Sequence, residues 1–126
     1  MDTLNALTKE YVRLSEIPAS RDNSVINFHL EKGTALMFNL FSRKSVAVSN
    51  FFLSKDARMP YHVHADSVEV LMIHEGLIKC VSDVCEKTLG VGEIMRLEKN
   101  EGHFLHAKED TWLIAITVPA DEAMMK

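Results

Sequence analysis

Seven short apolar segments, separated by turn-forming residues, follow residue 18 and constrain the fold more than any other feature. Each segment is rich in β-branched or aromatic residues. The segments are SVINFHL (24–30), TALMFNLF (34–41), KSVAVSNFFL (44–53), VEVLMIH (68–74), LIKCVS (77–82), EIMRL (93–97) and TWLIAITV (111–118). Because no long helical pattern recurs between them, parallel βαβ units are excluded, and the sequence predicts an all-β antiparallel sandwich or barrel.

Turn candidates lie between these segments at the spacing expected of such a fold. They are EKG (31–33), HEG (74–76), GVG (90–92) and KNEG (99–102). The chain has only five glycines to serve all of its corners. Since aspartate and asparagine also tolerate left-handed backbone, we expect Asp56 and Asn100 to form turns as well.

The first residues follow a different pattern. Residues 3 to 16 carry apolar side chains at three- and four-residue spacings, which predicts a short N-terminal helix that ends before Pro18. These side chains are Leu4, Leu7, Tyr11 and Leu14. We therefore divide the chain into an N-terminal helical extension (1–20) and a β-barrel domain (21–126). The apolar face of the helix is expected to pack on the barrel or on a second copy of it.

Length and charge narrow the classes of function. The chain has 126 residues, enough for one domain, and a net charge of -4 with no basic stripe, which argues against nucleic acid as a partner. No apolar run approaches the roughly 18 residues of a membrane span, and the start of the sequence lacks the regions of a signal peptide. We expect a cytoplasmic protein that does not interact with membranes.

Cysteine usage agrees with a reducing compartment. The chain has two cysteines, Cys80 and Cys85, and both are expected to be reduced thiols. The two residues flank a predicted turn, so a disulfide bond across a hairpin is a geometrically conceivable alternative.

The stretch HVHADSVEVLMIHEG (62–76) places two imidazoles and a carboxylate beside an apolar strand. Residues two apart on a strand point the same way, so His62 and His64 project from one face and can converge on one point. Glu69 follows a polar stretch that can turn and return the carboxylate to that point. Imidazole and carboxylate ligands suit a divalent transition metal ion such as zinc, iron, nickel, copper or manganese.

A fourth ligand is expected from the segment GHFLHA, where His103 and His106 are the candidates. An antiparallel strand here could return beside the first pair of histidines. Because the two residues are three apart, they point to opposite faces of a strand, and only one is expected inside.

This pattern resembles the two motifs of the cupin superfamily. His62, His64, Glu69 and Gly76 fit the first motif, G-x5-H-x-H-x(3,4)-E-x6-G, with Asp56 in place of the leading glycine. The second motif, G-x5-P-x-G-x2-H-x3-N, can be placed on residues 92 to 107, where only its first glycine and its histidine are kept. The substituted positions are Glu98, Asn100 and Ala107.

The resemblance covers roughly residues 34 to 118 and implies a small double-sheet, jelly-roll barrel of the RmlC-like cupin type. It also implies one divalent transition metal ion (Fe, Mn, Ni, Zn or Cu), held inside the barrel by His62, His64, Glu69 and His103. His106 stays as a substitute for His103. The alternative is a site that has lost its metal ion and kept a polar pocket.

Two functions remain open from the sequence. Three apolar side chains point to the same strand faces as the proposed ligands and would form the walls of the site, as expected of a small-molecule pocket. They are Leu71, Ile73 and Leu105. The protein would then be a metal-dependent enzyme acting on a small organic molecule, and the resemblance to cupins implies a dioxygenase, an isomerase or a decarboxylase. Alternatively, it would be a non-catalytic sensor that binds a small ligand. Since the edge strands of a small sandwich need covering, we also expect a homodimer.

Overall fold

A computed structural model describes residues 12–121 and 123, and this part of the chain folds into two β-sheets. The strands of the described residues are β1 (Val12–Arg13), β2 (Ala19–Asp22), β3 (Val25–Phe28), β4 (Ala35–Arg43), β5 (Val46–Leu53), β6 (Arg58–Val63), β7 (Val68–Glu75), β8 (Leu77–Ser82), β9 (Glu86–Gly90), β10 (Ile94–Leu97), β11 (His103–Ala107) and β12 (Thr111–Val118). The predicted all-β fold is confirmed, and each of the seven predicted segments contains a strand.

The two sheets have different widths. The five-stranded sheet has the order β1-β6-β11-β8-β9, and the seven-stranded sheet has the order β10-β7-β12-β5-β4-β3-β2. All neighbouring strands run antiparallel except β1, which pairs with β6 in parallel. The chain therefore forms the double-sheet architecture expected of a jelly-roll barrel.

The core lies between the sheets and follows from the alternation of side chains along each strand. Strand β5 shows this alternation along its whole length, with Phe51 and Leu53 buried and Phe52 partly exposed. Leu71, Ile73 and Leu105, expected as apolar walls of the site, are all at most 2% exposed. Each large aliphatic side chain buried in this way contributes about 1.5–3 kcal/mol to folding.

Left-handed backbone occurs where the sequence predicted it. Asp56 has a φ of 69° and Asn100 a φ of 64°, which confirms both as turn residues. Gly76, between β7 and β8, has a φ of 98°. A Cβ atom at this position would lie 2.3 Å from the carbonyl oxygen of Asp110, so the close approach of the two chain segments also requires glycine.

The predicted N-terminal helix is not confirmed. Residues 1–11 lie outside the described residues, and the remainder of the predicted helix forms β1 and one 3-10 turn (Leu14–Glu16). Val12 and Arg13 are extended because they pair with His62 and Val63 at the edge of the five-stranded sheet. Leu14 is buried in the core all the same. In the described part of the chain, no helix has the length and apolar character to cross a membrane.

The two cysteines occupy different environments. Cys80 lies on β8 in the core, whereas Cys85 is exposed between β8 and β9, and both are free thiols. Burial raises the pKa of the Cys80 thiol to about 12, with a smaller contribution from the nearby carboxylate of Glu69. Cys80 is therefore a packing residue with an unreactive, protonated thiol.

Candidate metal centre

Three imidazoles meet on the inner side of the five-stranded sheet. His62 on β6 and His103 on β11 are direct cross-strand partners, and their ring centroids lie 4.3 Å apart. His64 follows two residues after His62, and its ring lies 5.1 Å from that of His62 and 5.3 Å from that of His103. One ring nitrogen from each residue lies within 4.8 Å of the other two, so the group could hold one metal ion.

Glu69 approaches this group from the seven-stranded sheet. It lies on β7, and its carboxylate oxygens are 3.1 Å from His64 Nε2 and 3.2 Å from His103 Nε2. The three histidines and Glu69 are each at most 4% exposed. The site therefore lies between the sheets, with imidazoles on one side and a carboxylate on the other.

Two of the imidazoles are oriented by hydrogen bonds on their far side. His62 Nδ1 donates to the carbonyl oxygen of Pro60 at 2.7 Å, and His64 Nδ1 donates to Asp121 Oδ2 at 2.9 Å. Since Nδ1 of each residue donates outward, Nε2 is the nitrogen that faces the centre and can bind a metal ion when it carries no proton. This arrangement, in which an outer carbonyl or carboxylate fixes the tautomer of a histidine, is typical of metal-binding histidines.

Asp121 is itself held in place. Its side chain is buried, and Oδ1 accepts a hydrogen bond from the backbone N–H of Ala123 at 2.8 Å. Its own backbone N–H donates to Thr117 Oγ1 at the end of β12. The Asp121 carboxylate is therefore a fixed partner of His64, placed there by the last strand.

Several buried polar atoms of the centre have no hydrogen-bond partner among the described residues. They are His64 Nε2, Glu69 Oε1, His103 Nδ1 and His103 Nε2. The short distances from Glu69 to the imidazoles are close ionic contacts without hydrogen-bond alignment. A buried polar atom left unpaired costs about 1–3 kcal/mol, so several at one place need an explanation. A transition metal ion would satisfy His64 Nε2, Glu69 Oε1 and one ring nitrogen of His103, and the donor set of imidazole and carboxylate fits such an ion.

Electrostatics at the centre also favour a cation. Burial, followed by the proximity of His103 and His64, lowers the pKa of His62 well below its ordinary value. Burial acts in the same direction on His64, but Glu69 and Asp121 outweigh it and raise the pKa of His64 to about 10. Burial alone would raise the pKa of Glu69, but His64 and His103 hold it well below its usual range. Glu69 is therefore an anion, His62 is neutral, and His64 holds a proton that a metal ion would displace.

His106 does not join this group. It alternates with His103 along β11, is partly exposed, and lies 3.9 Å from Asp56 Oδ1 on the outer side of the sheet. There it lines a cavity of about 590 Å³ together with Arg58 and Pro60. The expectation that only one of the two histidines points inward is confirmed.

The remaining histidines are engaged elsewhere. His74 Nε2 lies 3.0 Å from Asn50 Oδ1 on the outer face of the seven-stranded sheet, and His29 Nε2 lies 2.7 Å from Ser20 Oγ. Both residues belong to the surface.

Neither of the two groups that orient the imidazoles was predicted from the sequence. Pro60 contributes through its backbone, which carries no sequence signal. Asp121 lies 57 positions from His64. The only available signal was an acidic residue soon after the last predicted strand, and nothing in the sequence connects it to a particular histidine.

No family model matches the sequence, and no curated protein matches it. Solved structures match its fold. An RmlC-like cupin from Shewanella frigidimarina has a TM-score of 0.68 at 16% identity, over 91% of this chain and 95% of that chain. A predicted oxalate decarboxylase from Thermotoga maritima has a TM-score of 0.66 at 17% identity, over 88% and 100%. KdgF from Halomonas sp. has a TM-score of 0.65 at 12% identity, over 91% and 99%.

These identities are low, so the similarity concerns the fold. It extends over about nine-tenths of the chain. The two-sheet topology and the resemblance of residues 56 to 76 to the first cupin motif lead to the same assignment. The chain has the double-sheet fold of RmlC-like cupins.

Proposed function

We propose that this cupin holds one divalent transition metal ion through His62, His64, Glu69 and His103 and acts on a small organic molecule. The observation that carries the proposal is the group of buried, unpartnered donor atoms from both sheets. Two of the imidazoles are already oriented by Pro60 and Asp121, so little reorganisation would accompany binding.

The bound ion would act as a Lewis acid that polarises an oxygen atom of the substrate. The protein side chains provide the rest. Glu69 balances part of the positive charge, and Asp121 strengthens His64 as a donor. Leu71 and Ile73 are buried on the same strand face as Glu69, and Leu105 on the same face as His103, so the interior around the centre is apolar, which strengthens each electrostatic interaction there.

Small carboxylic acids are the first substrate class to test. One protein with the same fold is described as a predicted oxalate decarboxylase. A carboxylate supplies the hard oxygen donors that manganese or iron accepts beside imidazole. Decarboxylation, isomerisation and oxygenation of such acids are therefore the reactions to assay.

Metal binding is tested by elemental analysis of the purified protein and of two histidine variants. We expect about one transition metal ion per wild-type chain, and none in His103→Ala. The matched control is His106→Ala, which removes the same side chain from the same strand on its outer side. Equal metal content in both variants, with both folded by circular dichroism, would contradict the proposed centre.

The reaction is tested separately with metal-loaded protein and a panel of small carboxylic acids, with and without oxygen. We expect turnover that is lost in Glu69→Gln and kept in His106→Ala. If the metal-loaded protein binds one of these acids saturably but does not turn it over, the proposed metal centre stands and the proposed catalysis does not. The protein would then be a small-ligand sensor.

A further inference from the structure

The outer side of the five-stranded sheet carries a cavity that is separate from the proposed metal centre. Its volume is about 590 Å³, within the range of pockets that bind small molecules. None of the four proposed metal ligands lines it. We call it the outer cavity and define it by the described residues that line it, namely Leu30, Glu31, Lys32, Asp56, Arg58, Pro60 and His106.

Strand pairing and a close backbone approach hold the walls of the outer cavity in place. Arg58 on β6 is the direct cross-strand partner of His106 on β11, so both side chains stand on the same side of the sheet. Another wall is the β3–β4 connection, which packs against the turn between β5 and β6. A Cβ atom at Gly33 in this connection would lie 2.7 Å from the Cβ atom of Ala57. The cavity is therefore formed by ordered backbone before any ligand arrives.

Charges of both signs line the outer cavity without pairing to one another. Arg58, Lys32 and Glu31 make no ion pair with any described residue. The nearest approach of opposite groups is the distance of 3.9 Å from Asp56 Oδ1 to His106 Nε2, which is too long for a hydrogen bond. Both the cations and the carboxylates of the cavity are therefore available to a ligand.

His106 is the most buried polar side chain of the outer cavity. It is only 13% exposed, yet its ring makes no hydrogen bond to any described residue. Burial lowers its pKa, and the positive charges of Arg58 and Lys108 lower it further, against the opposing effect of Asp56. A neutral imidazole donates one hydrogen bond and accepts another, so His106 offers both to a molecule in the cavity.

We propose that the outer cavity binds a small zwitterion, a molecule with a carboxylate, an ammonium group and an apolar part, such as an apolar amino acid or a short apolar peptide. The guanidinium of Arg58 suits the carboxylate, because it can donate two parallel hydrogen bonds to it. The carboxylates of Asp56 and Glu31 accept hydrogen bonds from the ammonium group. Leu30 and Pro60 provide apolar surface for the rest of the molecule.

The mixed charge of the lining argues against ligands of a single sign. A phosphate ion would face the carboxylates of Asp56 and Glu31, and a polyamine would face the cations of Arg58 and Lys32. A zwitterion meets both kinds of group with the opposite charge. The proposal is independent of the metal centre, so it can be tested on metal-free protein.

The first test addresses the chemistry of the ligand by isothermal titration calorimetry with leucine and with the dipeptide leucyl-leucine. These probes hold the two charges at different separations, so the tighter of them distinguishes an amino acid from a peptide. N-acetylation of that probe removes its positive charge, and amidation of its carboxyl group removes the negative charge. We expect each blocked form to bind at least ~10-fold more weakly, since each loses charge-assisted hydrogen bonds. Failure of both probes to bind, or equal affinity of the blocked forms, would overturn the proposal.

The second test addresses the place of binding. Arg58 is exposed, so Arg58→Gln should fold normally and bind the zwitterion at least ~10-fold more weakly. The amidated probe has no carboxylate, so it should bind the wild type and Arg58→Gln equally. The matched control is Arg96→Gln, at an exposed arginine on β10 of the other sheet, which should bind like the wild type. Equal effects of the two substitutions would overturn the proposal. So would binding that is lost in His103→Ala and kept in Arg58→Gln, because the ligand would then lie at the metal centre.

Discussion

At the scale of single residues, Asp121 determines how well His64 can serve as a ligand. Its carboxylate accepts the Nδ1 hydrogen of His64, whereas asparagine would keep an acceptor there but lose the charge. We expect Asp121→Asn to weaken metal binding about 10- to 100-fold, measured by competition with a chelator. Asp66→Asn, in the turn after His64, is the control and should bind normally, since asparagine also tolerates the left-handed backbone of that position. Equal affinity of the two variants would remove Asp121 from the centre.

The protonation state of His64 gives a second prediction. Its pKa is about 10 in the metal-free protein, so it carries a proton at about pH 8 that must leave before Nε2 can bind a metal ion. The low pKa values of His62 and Glu69 mean that these residues have already lost theirs. His64 should therefore release about one proton per ion bound, and affinity should fall as the pH decreases. Calorimetry in two buffers of different ionisation enthalpy measures this release, and identical heats would contradict it.

At the scale of secondary structure elements, the β7–β8 turn depends on Gly76. Gly76→Ala would combine a φ of 98° with a Cβ atom 2.3 Å from the Asp110 carbonyl oxygen. We expect a loss of about 3 kcal/mol or more in the free energy of unfolding, measured by chemical denaturation. Gly92→Ala is the matched control, with a φ of 85° and open space around its Cβ, and should lose only about 1–2 kcal/mol. Equal losses in the two variants would show that the positive φ alone requires glycine at position 76 and that the close approach of Asp110 does not contribute.

Strands in which apolar residues alternate clearly were predictable from the sequence. The other strands are extended because they pair with a neighbouring strand. β2 is exposed at every residue and β9 at its first three, so neither has an alternating apolar pattern. Their extended backbone comes from pairing with β3 and β8. Strand parity also predicted that only one of His103 and His106 points inward, and the resemblance to the second cupin motif indicated His103. The bond between His64 and Asp121 depends on tertiary packing, which local pattern does not encode.

At the scale of the whole molecule, the proposed metal ion would join the two sheets, since Glu69 lies on the seven-stranded sheet and His62 and His103 lie on the five-stranded sheet, with His64 directly after β6. An ion bound only by the folded chain adds about 2.7 kcal/mol of stability at one hundred times its dissociation constant. We expect a chelator to lower the free energy of unfolding of the wild type and of His106→Ala by an amount of about this size. The free energy of unfolding of His103→Ala should not change. A wild type indifferent to the chelator would argue against a bridging ion.

The position of β12 has a consequence for the newly made protein. When the ribosome has translated as far as Ala107, all four proposed ligand residues have been synthesised. Strand β12, which lies between β7 and β5, has not. Until then, Glu69 lies on a strand separated from most of its sheet, and Asp121 has not been synthesised. We therefore expect the nascent chain to acquire its ion only after the final strand is in place, so that metallation marks completed folding.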